Sequence, residues 1–245
     1  MNSFENTLPR SREAAFTTNK VIKNTYLLLS ATLLFSAIMA MAAMALAVPV
    51  WAYTVSVIVA MLMGIFVLPR TQNSTAGLGV IFAITGLMGF GLGPVVQMYL
   101  NMPNGAMTVA LALGGTGVIF LALSGYALSS RRDFSFMGGF IFAGMMVMLV
   151  AVLANIFLQI PALQLAIAAG FILLMSGFIL FQTSAMVHGG ETNYISATYG
   201  LYLSIFNIFI SLLQFLGESA VLPDQFVMVE SFADQIWKLP GVPGF

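Results

Sequence analysis

The side chains able to carry acid–base, nucleophilic or metal chemistry are sparse in this sequence. Away from the ends they gather in one stretch, His188-Gly189-Gly190-Glu191-Thr192-Asn193-Tyr194-Ile195, which holds the only histidine and the only carboxylate between Asp133 and Glu218. A histidine titrates near neutrality and a carboxylate three residues away can hold its charged form, so His188 and Glu191 read as a pH-sensing inner gate. They read equally as helix-end caps: two glycines stop one helix sharply, and Glu191 favours the positive start of the next. One His and one Glu are too few ligands for zinc. The absence of cysteine excludes thiolate nucleophiles, disulfides and Cys-based metal or iron–sulfur sites.

Two glycine clusters come next: Gly86, Gly89, Gly91 and Gly93 followed by Pro94, and Gly114, Gly115 and Gly117. Neither has the Lys-Ser/Thr ending of a phosphate-binding loop or the strand–turn–helix context of a dinucleotide site. Gly89 and Gly93 form a GxxxG pair that lets helix backbones approach closely, and Pro94 removes a backbone donor, predicting a kink within the membrane. The carbonyl that Pro94 frees is a candidate ion contact. The amides and hydroxyls Gln97, Asn155, Gln159, Gln182, Thr183, Ser204, Asn207 and Gln214 read as glue between helices.

These residues must be held by helices in lipid. The chain is 60% hydrophobic and 7% charged, with a mean hydropathy of +1.01, whereas charged residues make up about a quarter of a soluble domain. Zero formal net charge offers no basic surface for nucleic acid. Because each ionisable group is costly in hydrocarbon, the long gaps between charges locate the spans. The gap from Lys23 to Arg70 breaks at Pro49, predicting helices over Thr25 to Val48 and Val50 to Leu68. The gap to Arg131 breaks at Asn101-Met102-Pro103-Asn104-Gly105, giving Ala76 to Leu100 and Ala106 to Leu128. Beyond Asp133 the break at Gln159-Ile160-Pro161 separates Phe134 to Leu158 from Ala162 to Val187, and Ser196 to Leu216 completes seven. The small residues Ala45-Leu46-Ala47 do not make a signal-peptide cleavage site, because the polar leader ahead of Thr25 is too long.

No ionisable residue falls in the middle of a predicted span, which argues against a proton relay, a voltage sensor or an intramembrane acid–base enzyme. The expectation is a protein that is not an enzyme and carries no cofactor. Arg10, Arg12, Lys20, Lys23, Arg70, Arg131 and Arg132 all lie on one side of this topology, so the N-terminus is expected in the cytoplasm and, with seven spans, the C-terminus outside in the periplasm. Trp51, Tyr53 and Tyr99 fall at predicted outer ends; Tyr26, Tyr126, Tyr194 and Tyr199 fall at inner ends. Residues 1–24 read as a flexible cytoplasmic tail and 25–217 as the membrane domain. Within the tail at 218–245, Phe226, Val229, Phe232, Ala233, Ile236 and Trp237 share one helical face, predicting a short helix on the outer membrane surface.

Three stretches carry a family resemblance. Gly91-Leu92-Gly93-Pro94, Ala112 to Phe120 (ALGGTGVIF), and Phe181 through the His188 to Ile195 stretch to Leu201-Tyr-Leu-Ser-Ile-Phe-Asn-Ile-Phe are similar to the transmembrane Bax inhibitor motif family, over roughly Thr18 to Gly217. The resemblance implies seven helices with the last one central, and a bacterial inner (cytoplasmic) membrane location. It also implies a role as regulator of the membrane-anchored ATP-dependent protease FtsH with its partners HflK and HflC. Such members are taken to be substrates as well, fed in by the N-terminal tail. Other members act as pH-sensitive calcium leaks through a pair of aspartates, whose positions fall here on Gln182 and Ser204. Both replacements are neutral, and calcium favours carboxylates among its oxygen ligands, so the resemblance implies a weakened cation pathway in this chain.

Overall fold

A computed structural model describes the backbone of residues 8–237 and the side chains of residues 19–217, in both cases without Arg131. The elements are α1 (Leu8–Ala45), α2 (Trp51–Leu62), a π-helical turn (Met63–Val67), α3 (Leu68–Thr71), α4 (Ala76–Leu100), α5 (Gly105–Ser130), α6 (Met137–Leu158), α7 (Pro161–Val187) and α8 (Tyr194–Trp237). Seven of their segments are long and apolar enough to cross a membrane, from Asn19–Ala45 through Tyr194–Gly217. The predicted breaks all fall where the helices end. Ala47, Asn104 and Gln159 take left-handed backbone angles at the three turns expected on the outer side, and Pro161 starts α7 at a position where its missing N–H costs nothing.

Two helices run beyond the predicted spans. The backbone of α1 is helical from Leu8 and that of α8 continues to Trp237. The side chains from Phe226 to Trp237, on which the surface-helix expectation rests, lie outside the described residues.

The second span is one residue looser than an α-helix. At the π turn the Leu68 N–H bonds to the Met63 carbonyl, five residues back. Pro69 follows directly; in a regular helix its ring would strike the carbonyl four residues earlier, and the widened turn relieves that clash.

The bundle closes around α8, which packs on α1, α4, α5 and α7, so the last helix is central. α4 is the second axis, contacting α1, α2, α5 and α8, while α6 lies at the periphery against α7. Glycines set how closely α1 and α4 approach. A Cβ at Gly89 would stand 2.2 Å from the Ser36 carbonyl oxygen, and one at Gly93 2.5 Å from that of Ala40. Gly91 faces the other way, its position filled by Ser56 and Tyr53 of α2. Pro94 is buried and α4 continues through it as helix.

Hydroxyls fasten the centre. Tyr202 of α8 is 1% exposed; its hydroxyl lies 2.7 Å from Ser36 Oγ of α1 and donates to the Thr85 carbonyl of α4 at 3.2 Å. Among membrane helices such bonds contribute about 0.6–2 kcal/mol each. Three of the amides and hydroxyls expected to be glue behave differently: Ser204 Oγ donates to the Gly200 carbonyl, Asn207 to the Leu203 carbonyl and Gln97 to Asn101. Each of these bonds stays within one helix or its own terminus. The physical reason is proximity, since a carbonyl one turn back is always within reach of a short polar side chain.

Candidate functional site at the junction of α7 and α8

α7 ends in a Schellman arrangement. The Gly190 N–H bonds to the Ala185 carbonyl (2.8 Å) and the Gly189 N–H to that of Met186 (3.4 Å), with Gly189 at φ +76°, an angle that a residue with a Cβ adopts only under strain. The chain then turns into α8 through Asn193. Its Oδ1 accepts the N–H groups of Ile195 (2.9 Å) and Ser196 (3.2 Å), capping the new helix. Its Nδ2 donates to the Gln72 carbonyl (3.0 Å) and to Asn73 Oδ1 (2.8 Å), tying this junction to the loop between α3 and α4.

A second clamp joins the connection between α5 and α6. Ser184 Oγ accepts the Phe134 N–H (2.9 Å) and donates to the Arg132 carbonyl (3.1 Å). His188 folds back on the same residue: its Nδ1 lies 2.9 Å from the Ser184 carbonyl, and because a carbonyl only accepts, Nδ1 carries the proton of that bond. A third contact runs from α1, where Thr198 Oγ1 bonds to the Thr25 carbonyl (3.3 Å) and Thr25 Oγ1 to that of Tyr194 (3.5 Å). The three connections predicted to share a membrane face thus meet at one end of the bundle.

Among the described residues, His188 and Glu191 hydrogen-bond to different partners. The Glu191 carboxylate accepts the Asn193 N–H (2.8 Å), beside the positive end of α8, while His188 stays on α7. One carboxylate that feels His188 is Asp133. Its pKa is held below the usual carboxylate range, chiefly by hydrogen bonds from the Ser135 hydroxyl (2.5 Å) and Ser135 N–H (2.9 Å), with His188 adding a smaller pull in the same direction.

Gln182 and Ser204 are brought together. Both line a cavity of about 300 Å³ between α6, α7 and α8, which Glu191, Ser196 and Asn207 also reach. Gln182 is 8% exposed and Ser204 is fully buried. The amide of Gln182 lies over Gly200, where a Cβ would stand 3.3 Å from its Cδ, and Ser204 bonds to the carbonyl of that same glycine. The polar groups of this space are neutral apart from one carboxylate, Glu191, and they share its lining with the apolar Met145, Met175, Phe178 and Leu203. Tyr199 borders the cavity too and fills the notch at Gly64 in the π turn, where an added Cβ would stand 2.0 Å from its hydroxyl.

Sequence reasoning did not assign the clamps Asn193, Ser184 and Tyr202. Asn193 carried a usable signal, an asparagine just ahead of an apolar run, which is a helix cap by type. Tyr202 carried one as well, because a phenol at mid-span must find a partner inside the protein.

A family model described as inhibitor of apoptosis-promoting Bax1 matches residues 18–221. The chain is 49% identical over 206 residues to the modulator of FtsH protease YccA of Escherichia coli strain K12, covering 84% of this chain and 93% of that protein. It is equally similar to a protein of Escherichia coli O6:H1 named inner membrane protein YccA. An uncharacterized membrane protein of Vibrio cholerae is 50% identical over 217 residues, 89% of this chain and 97% of that one. The match covers all seven spans and both sides of the cavity, in keeping with a multi-pass protein of the inner membrane. The chain belongs to the Bax inhibitor family.

Proposed function

We propose that this chain is an inner-membrane regulator of an FtsH-type ATP-dependent protease, acting within a complex that includes HflK and HflC, and that it is itself a slow substrate of that protease. The observation that carries this reading is the 49% identity to a protein named modulator of FtsH protease, sustained over 84% of the chain. Regulation by contact suits a bundle whose central helix is fastened to α1 and α4 by hydroxyl bonds, because such a body resists extraction from the membrane. The N-terminus, with Arg10, Arg12, Lys20 and Lys23 ahead of the first span, lies in the cytoplasm in this reading and the C-terminus in the periplasm. Residues 1–24 are then the segment that the protease grips. Co-purification of the untagged chain from native membranes should bring the protease and its partners with it, and deleting Met1 to Asn24 should make the chain resistant to proteolysis. A truncated chain degraded at the original rate overturns the substrate role, and a chain that purifies alone overturns the regulator.

A second reading, a pH-sensitive calcium or cation leak, is favoured by the cavity that joins Gln182, Ser204 and Glu191. Purified chain in calcium-loaded liposomes tests it. Flux that rises when Asp replaces Gln182 and Ser204 supports the pathway, and absence of flux in both forms removes it.

A further inference from the structure

On the opposite side of α8 lies a second cavity, about 400 Å³ in volume, between α1, α4, α5 and α8. We infer that this slot between α1 and α5 binds one acyl chain of a bilayer phospholipid, entering sideways from the membrane. Three observations carry the inference.

The first is chemical. Only three hydroxyls, those of Ser36, Thr116 and Tyr202, line the cavity, and all are already bonded: Ser36 to Tyr202, Tyr202 to the Thr85 carbonyl, Thr116 to the Ala112 carbonyl (2.7 Å). Every hydroxyl proton is committed inside the protein and the rest of the lining is apolar side chain and glycine, so an ion, a sugar or a water cluster would find no donor and few acceptors. Space of this kind stays dry and takes apolar guests.

The second is shape. α1 and α5 both pack on α8 yet do not pack along one another. At one end the gap is shut, where Tyr26 hydrogen-bonds Ser124 and its ring lies 6.2 Å from Phe120. From Phe120 to Val109 the α5 wall rises about 16 Å at about 1.5 Å per residue, which is roughly half of the ~30 Å hydrocarbon core. The slot is therefore one leaflet deep. Its blind end lies at mid-bundle and its far end points to the side of the Pro49 and Asn101–Gly105 turns. A transmembrane helix is a rod about 10 Å across and does not fit a slot whose walls share a direct hydrogen bond.

The third is access. Ala37 and Leu113 on the two rims are exposed, and a Cβ at Gly117, inside the slot, would meet no atom within 4 Å. The mouth is open at a depth where hydrocarbon is the solvent.

The test uses the full chain reconstituted in vesicles of phosphatidylethanolamine and phosphatidylglycerol that carry a fraction of phospholipid with a photoactivatable diazirine in the acyl chain. Irradiation and peptide mass spectrometry then map the adducts. Adducts at Ala37, Leu113 and Phe120 should exceed several-fold those at Phe142 and Val150, which are exposed on α6. Gly117→Leu, which fills open space, should abolish the slot adducts and leave those of α6 in place. Gly125→Leu, also in open space on α5 but outside the slot, should change neither set, and Ala37→Phe repeats the blockade from the other wall. Equal labelling of slot and α6 overturns the site, as does labelling that Gly117→Leu and Ala37→Phe both leave unchanged. Cross-linking of Ala37 to Leu113 of a second copy, with no lipid adduct in the slot, would mean that protein occupies it and overturns the inference as well.

Discussion

Consider Gly89→Ala. The new Cβ would stand 2.2 Å from the Ser36 carbonyl oxygen and 2.7 Å from the Ser36 Cα, both backbone atoms, whereas ordinary contact begins at 3.4 Å. α1 must therefore retreat by about 1 Å or α4 must turn, and overpacking of this kind costs about 1–3 kcal/mol. The same retreat stretches the 2.7 Å bond between Ser36 and Tyr202 toward rupture, adding about 0.6 kcal/mol, the average for hydrogen bonds between membrane helices. Against this stands the better helix propensity of alanine, worth at most about 1 kcal/mol. The balance is a loss of about 1–3 kcal/mol. Gly114→Ala is the matched control, the same chemical change where no atom lies within 4 Å, and should be as stable as the parent or up to about 1 kcal/mol more stable. Unfolding in mixed micelles, driven by a denaturing detergent and followed by far-ultraviolet circular dichroism, measures both. Gly93→Ala should cost a similar amount, and the double variant should cost less than the sum, because a displaced α1 admits the second methyl. A Gly89→Ala protein as stable as the parent, or additive costs in the pair, would refute the view that this glycine face fixes the distance between α1 and α4.

Tyr202→Phe should lose about 1–2 kcal/mol by leaving Ser36 and the Thr85 carbonyl without their shared partner; adding Ser36→Ala should then cost little more, a coupling that a double-mutant cycle in the same unfolding assay reads directly. Asn193→Ala removes a cap and two bonds to the loop before α4, and should lower stability by about 1–2 kcal/mol while speeding hydrogen exchange of the Ile195 and Ser196 amides. Ser135→Ala should raise the Asp133 pKa toward the usual carboxylate range, measured by carbon-13 nuclear magnetic resonance titration. Because the folded pKa of Asp133 is depressed, its contribution to stability is present above the ordinary carboxylate pKa and is lost as pH falls through the lowered one. In Ser135→Ala that contribution should shrink to the part held by the backbone N–H at this position and by His188, flattening the acid limb of stability against pH.

Most of the fold was legible because lipid punishes charge. The gaps between Lys23, Arg70, Arg131, Asp133 and His188 bracket six spans, and the turns at Pro49, Pro103 and Pro161 divide them without help from any pattern of amphipathicity. The π turn was not legible. Pro69 sits so near the end of its span that sequence reasoning stopped the helix at Leu68, whereas the span runs on to Thr71. At the site, the shared surroundings of Gln182 and Ser204 were reachable through family resemblance alone, since nothing in their spacing puts residues twenty-two positions apart on one cavity. The pairing of His188 with Glu191 was proposed from separation along the chain, but the αL turn at Gly189 sends the two side chains to different neighbours. Which polar residues bridge helices was hidden for a related reason. Type does not reveal direction: Ser204 turns back on its own helix while Ser36, of the same chemistry, reaches across to Tyr202.

The loosened turn at Met63–Val67 gives the second span a spare link. Removing one residue anywhere else in a membrane helix rotates all that follows by about 100°, which here would swing Gln72 and Asn73 away from the side chain that holds them. Removing Ile65 instead would convert the wide turn into a normal one and leave the two ends of the span in register, at the expense of the room Pro69 needs. A chain with that deletion should keep its loop latched onto Asn193 when Ala also replaces Pro69, and let go when the proline stays.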